Sequence, residues 1–192
     1  MQSLLLPTGV VALAEIGDKT QLLAFLLAAR FKKPLPIIGG ILVATLLNHG
    51  LAGALGAWIT TALRPDVLRW ILGASFLAMA AWTLVPDKIE EEESDLARRF
   101  GVFGATLVTF FIAEMGDKTQ IATVAMAAHY GAPVAVVIGT TLGMLIADVP
   151  AVFAGGRLAA KIPMRLVHGI AAALFAAMGV ATLLGAGSGF GL

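Results

Sequence analysis

The sequence predicts an all-α integral membrane protein of six transmembrane helices, arranged as two inverted three-helix repeats. Three observations lead there. The chain is 59% hydrophobic and only 13% charged over 192 residues, with a mean hydropathy of +0.92, whereas soluble domains are about half apolar and about a quarter charged. Segments 34–63, 70–86, 119–147 and 166–192 contain no Asp, Glu, Lys or Arg. Finally, the heptapeptide Glu15-Ile16-Gly17-Asp18-Lys19-Thr20-Gln21 returns as Glu114-Met115-Gly116-Asp117-Lys118-Thr119-Gln120, differing only in its second residue.

A membrane span needs about 20 mostly apolar residues, and the uncharged stretches are too long and unbroken for the strands of a barrel. Six helices fit: 4–29, 35–61, 67–86, 101–128, 133–156 and 166–186. The first has no basic region ahead of it and soon meets Glu15, so it reads as a span rather than a cleaved signal. Basic and proline clusters at 30–34, 64–66 and 157–165 separate the others, and an acidic run at 87–95 divides the third from the fourth. The expected organisation is a first repeat at 1–86, an acidic cytoplasmic linker at 87–99 and a second repeat at 100–192.

An offset of 99 residues aligns the halves without a gap, pairing Phe31 with Tyr130, Pro34 with Pro133, Gly40 with Gly139, Gly56 with Gly155, Phe76 with Phe175 and Met79 with Met178. Three spans per repeat is an odd number, so the second repeat enters the membrane from the side opposite to the first. Inverted repeats of this kind characterise secondary transporters, whose sites lie near the midplane. One face collects Arg30, Lys32, Lys33, Lys88, Arg98, Arg99, Arg157, Lys161 and Arg165, against Arg64 and Arg69 on the other. That bias places the first face in the cytoplasm and both termini outside, with Trp58 and Trp70 near the outer interface and Trp82 near the inner one.

The two motifs put four carboxylates where lipid is expected. A charge at the centre of a bilayer costs roughly 2.5 to 3.5 kcal/mol on insertion scales and usually marks an ion or proton pathway. Glu15 lies about eleven residues into its helix, and Glu114 is similarly deep, so at about 1.5 Å per residue both fall near mid-membrane. On a continuous helix Glu15, Asp18 and Lys19 share a face, while Thr20 and Gln21 point away from Glu15. Gly17 and Gly116 allow either close backbone approach or a break that frees carbonyl groups.

Carboxylates, amide oxygens and hydroxyls suit hard cations such as Ca2+, Mn2+ or Mg2+. The chain has no cysteine and no paired histidine near the motifs, which argues against zinc or copper. Four carboxylates less Lys19 and Lys118 leave two net negative charges, enough to neutralise one divalent ion. Without the ion, desolvated and mutually repelling carboxylates take up protons. A simpler alternative pairs Glu15 with Lys19 and Glu114 with Lys118 as i,i+4 ion pairs that join helices. An intramembrane aspartyl protease would instead want Gly-x-Gly-Asp, and both copies begin with Glu.

Other polar residues carry less. Asp148 aligns with His49; Asp148 is a candidate proton carrier or outer partner of the site, and His49 a candidate for the same role or a packing residue. Thr45, Thr140 and Thr141 suit bonds to their own helix backbones. Gly50, Gly53, Gly56, Gly139 and Gly143 suit close helix packing and permit a homodimer.

Two copies of E-x-G-D-[KR]-[ST], at Glu15 to Thr20 and Glu114 to Thr119, each opening a hydrophobic three-helix repeat, resemble the Gdt family of cation/proton exchangers found in bacteria, chloroplasts and the Golgi. The resemblance runs from about Leu4 to Leu184. It implies exchange of Mn2+, Ca2+ or both for protons. By motif, Glu15, Asp18, Glu114 and Asp117 become the metal carboxylates, Thr20, Gln21, Thr119 and Gln120 neutral ligands, and Lys19 and Lys118 the charge balance. The expectation is therefore a non-enzymatic antiporter that works by alternating access and exports its cation from a bacterial inner membrane. Its partners are the cation, protons and lipid, with no resident cofactor and no nucleic acid. An exporter of small organic solutes such as amino acids, or less readily an intramembrane enzyme, is the alternative.

Overall fold

The computed structural model describes residues 1–85, 96–154 and 164–185. The acidic run at 87–95, the basic positions 157 and 161 and the expected Gly56–Gly155 pairing therefore lie outside the described residues. Within them the chain is helical and has no strand. The order is α1 (Gln2–Glu15), α2 (Lys19–Phe31), α3 (Pro34–Ala62), α4 (Pro65–Thr83), α5 (Leu96–Glu114), α6 (Lys118–Tyr130), α7 (Pro133–Ala154) and α8 (Met164–Leu183).

Two of the six predicted helices are corrected. The segments 4–29 and 101–128 are not continuous; each breaks at its motif, giving α1 with α2 and α5 with α6. Elsewhere local chemistry sets the ends. Pro34 and Pro65 open α3 and α4, where the missing N–H of proline costs no helical hydrogen bond. The equivalent positions Lys32 and Gly131 end α2 and α6 in the left-handed conformation, each returning its N–H to a carbonyl four residues back.

Among the described residues two helices, Pro34–Ala62 and Pro133–Phe153, are long and apolar enough to cross a membrane singly. The pair Phe100–Glu114 and Lys118–Tyr130 makes a third candidate span, bent by 70° at its break. The distribution of polarity is the reverse of a soluble protein's. On α3, Leu42, Leu46, Leu51, Leu55 and Trp58 are exposed while Thr45, Asn48 and His49 are buried. An apolar exterior around a charged interior is what a lipid environment selects.

Close packing joins the two halves of the chain. A Cβ on Gly40 would lie 2.9 Å from the Phe103 carbonyl oxygen, and one on Gly139 would lie 2.5 Å from that of Leu4. Positions 40 and 139, and 4 and 103, are equivalent under the offset, so α3 meets α5 as α7 meets α1. Gly53, Gly56 and Gly143 are likewise filled by neighbours from within the chain. These contacts bring the two helix breaks together.

Candidate cation site

Each break is a type II turn. At Ile16 the backbone is at φ −63°, ψ 113°, Gly17 follows at φ 84°, and the Asp18 N–H donates to the Glu15 carbonyl at 3.0 Å. The second copy repeats this with Gly116 at φ 77° and an Asp117 N–H to Glu114 carbonyl bond of 3.1 Å. The third turn position needs positive φ, which a Cβ penalises, so the invariant third letter of both motifs has a backbone cause. Asp18 and Asp117 then begin α2 and α6, but neither uses its side chain as a cap.

That work falls to the last motif residue. The Gln21 Oε1 accepts from the Gly17 N–H at 2.8 Å, and Gln120 Oε1 from Gly116 N–H at 2.6 Å. A side chain in the first helical turn thus satisfies an orphan donor ahead of it, as in a capping box. The same glutamines tie the turns to the long helices: Gln21 Nε2 donates to the Ala147 carbonyl on α7 at 3.0 Å, and Gln120 Nε2 to Asn48 Oδ1 on α3 at 3.3 Å. Positions 48 and 147 are again equivalent.

Freed from capping, the aspartates reach across. Lys19 Nζ lies 2.9 Å from Asp117 Oδ1 and Lys118 Nζ 3.3 Å from Asp18 Oδ1. The i,i+4 pairing with Glu15 and Glu114 is therefore not how these lysines are used. The break also overturns the expectation that Thr20 points away from Glu15. Thr20 Oγ1 donates to Glu15 Oε2 at 2.6 Å, and Thr119 Oγ1 to Glu114 Oε2 at 3.3 Å.

What the hydroxyls and lysines leave is a set of carboxylate oxygens facing one another. Glu15, Glu114 and Asp117 each offer an oxygen within 4.8 Å of the others, and all three side chains are buried. Glu15 Oε1, Glu114 Oε1 and Asp117 Oδ2 have no hydrogen-bond partner among the described residues. A buried, all-oxygen group of three carboxylates, each with an unpartnered oxygen, is a donor set that suits a hard divalent cation. The structure thus brings Glu15, Glu114 and Asp117 into one group and holds Asp18 to Lys118. Of the candidate neutral ligands, the threonines contact the glutamates and the glutamines brace the turns.

Asp148 and His49 are fully buried, and none of their side-chain polar atoms has a hydrogen-bond partner among the described residues. Asp148 is near enough to both glutamates to act on them electrostatically. One contributor, His168, escaped the sequence, and the role of Asn48, singled out there beside His49, is set by its contacts. His168 Nε2 lies 2.8 Å from the Ile16 carbonyl oxygen, within the first turn, and Asn48 donates to the Phe111 carbonyl at 3.0 Å while receiving Gln120. The equivalent of His168 is Arg69, so the repeat offered no signal for it; Asn48 stood beside His49 in an apolar helix, which was signal enough.

The duplicated motif also places the chain among known proteins. Residues 3–91 and 102–189 match the model of the family described as "Divalent cation/proton antiporter GDT1". The chain belongs to this family. GDT1 proteins are antiporters, a transporter class rather than an enzyme class, and the two matched segments begin 99 residues apart. Among relatives, the chain is 51% identical over 183 residues to a Vibrio cholerae protein named "Putative manganese exporter", covering 95% of this chain and 90% of that one. It is 32% identical to GDT1-like protein 3 of Oryza sativa subsp. indica, over 90% of this chain and 70% of the relative. GDT1-like protein 3 of Arabidopsis thaliana is 30% identical, over 90% of this chain and 67% of the relative. No solved structure matches the chain.

Proposed function

We propose that this GDT1 protein is a secondary active transporter that exports Mn2+, Ca2+ or both in exchange for protons, by alternating access at a midplane site. The observation that carries it is the convergence of Glu15, Glu114 and Asp117 with unpartnered, buried oxygens. The crossed pairs neutralise Asp18 and Asp117, so Glu15 and Glu114 remain as two uncompensated carboxylates. One divalent ion or two protons balances them, and a site that accepts either but not both is the minimum an exchanger requires. Asp148, buried close by, serves as a proton acceptor that the cation does not occupy. The name of the Vibrio cholerae relative supports manganese as cargo and export as direction.

The architecture proposed for this function is six spans in two inverted repeats, with α1–α2 and α5–α6 each one broken span. Support comes from the contacts that recur at the offset: Lys19 to Asp117 with Lys118 to Asp18, and Gln21 to position 147 with Gln120 to position 48. Broken spans that meet at the centre are how inverted-repeat transporters build ion sites. The lysine and arginine bias puts both termini outside a bacterial inner membrane.

Reconstitution into vesicles that hold a pH dye tests the proposal. A Mn2+ or Ca2+ gradient should move protons the opposite way, with Mg2+ and Zn2+ as comparisons. Saturable amino-acid flux without any metal response would favour the organic-solute exporter, and cation flux without proton counter-movement would make the protein a channel.

A further inference from the structure

The two motifs are alike in sequence and unlike in setting. The Lys118–Asp18 pair is sealed, its side chains 5% and 3% exposed. Lys118 also reaches the Val85 carbonyl at 3.4 Å, and His168 holds the neighbouring turn through the Ile16 carbonyl at 2.8 Å. Val85 follows the end of α4 and His168 lies near the start of α8. Both positions adjoin the loops that the positive-residue bias assigns to the cytoplasm. On the other flank the Lys19 side chain is 28% exposed. Of the equivalents of the sealing residues, Arg69 is turned elsewhere, its guanidinium over the Trp70 ring at 5.8 Å. The ligand group shares this asymmetry, since it contains Asp117 and leaves Asp18 with Lys118.

We infer that Asp117 and Asp18 alternate as the third carboxylate of the site. Glu15 and Glu114 bind the cation with Asp117 when the cytoplasmic flank is sealed, and with Asp18 when the outer flank is sealed. The inference rests on the exchange function proposed above. In a duplicated transporter, each half adopts one of two local settings, and trading them generates the opposite state. Trading them turns the less buried Lys19–Asp117 pair into the sealed one and brings Asp18 toward the glutamates. Arg69 then takes the role of His168 at the Met115 carbonyl, and Leu184 that of Val85. Asp117 meets Lys19 through Oδ1, as Asp18 meets Lys118, and its Oδ2 has no hydrogen-bond partner among the described residues. The ligand charge is the same in both states, so the transition strands no unpaired charge in the membrane.

The chain has no cysteine, so Ile16→Cys and Met115→Cys can each report accessibility to a membrane-impermeant thiol reagent, applied from one side at a time. A cation favours the state that binds it better. In Asp18→Asn only the Asp117 state keeps three carboxylates, so Mn2+ should raise labelling at position 115 from outside and lower it at position 16 from the cytoplasm, each by about threefold or more. In Asp117→Asn the same ion should shift both signals in the reverse direction. Shifts of the same sign in the two variants, or none in either, overturn the inference. Should an asparagine variant fail to insert, the Asp18→Ser and Asp117→Ser pair makes the same comparison. Loss of cation-driven proton movement by the parent protein would instead remove the exchange function, and that outcome is read separately.

Discussion

Lys19 of the first motif lies 2.9 Å from Asp117 of the second, so each copy of the heptapeptide is completed electrostatically by the other. Its reciprocal, Lys118 with Asp18, is the more buried of the two. The lysines therefore compensate the aspartates, and the glutamates are left for the cargo.

Glu15→Gln and Glu114→Gln should each abolish cation-driven proton movement in reconstituted vesicles, by about a hundredfold or more, while the protein still inserts. Each change removes one of the two uncompensated charges, and a neutral amide cannot take up and release a proton. Thermal unfolding in detergent, with and without Mn2+, should show the stabilisation by cation lost in both variants.

Lys118→Met should destabilise the protein more than Lys19→Met. Breaking a buried ion pair strands its partner and costs roughly 3 to 5 kcal/mol, and the cost is smaller where the lysine is already partly solvated. Since Lys118 and Lys19 are 5% and 28% exposed, the midpoint of thermal unfolding should fall clearly further for Lys118→Met. Equal shifts would mean that the two flanks are equally hydrated.

Gly116→Ala should impair transport although there is room for the methyl group, because a Cβ there meets nothing within 4 Å. The cost is in the backbone, at φ 77°, and is of the order of 1 to 2 kcal/mol. It would be relieved by turning Glu114 and Asp117 out of register. Gly116→Asn, which tolerates positive φ better, should retain more flux than Gly116→Ala.

Protons and cation compete for the same oxygens, so the half-saturating concentration of Mn2+ should rise as pH falls. The expected slope is up to about tenfold per pH unit for each proton displaced, two at most from Glu15 and Glu114. At high pH, with both carboxylates ionised, the curve should flatten. Isotope uptake measured at several pH values checks the slope.

The helical class, the duplicated motif and the residues that crowd the site were legible in the sequence because each is written in local composition or in the repeat itself. The crossed pairing was not. Helical periodicity makes Glu15 and Lys19 neighbours, and only the turn at Gly17 carries Lys19 away to the other repeat. The position of Thr20 differs for the same reason: rotation about a continuous helix turns it from Glu15, whereas the break folds it back to 2.6 Å. Glycine marks a place where the helix can open, and the pattern Glu-x-Gly-Asp, which suits a type II turn, favours the break over mere close packing. The His168 contact could not be read, since its equivalent is an arginine and its partner is a backbone carbonyl.

The exchange of lysines between the motifs bears on where such a chain comes from. A half-length ancestor with one heptapeptide would hold a glutamate, an aspartate and a lysine with no opposite number, and could bury them only against a second copy of itself. Within this chain the second repeat supplies that opposite number, while the two halves differ around the shared motif. His168 where the first repeat has Arg69, and Asp148 where it has His49, are the marks of that difference.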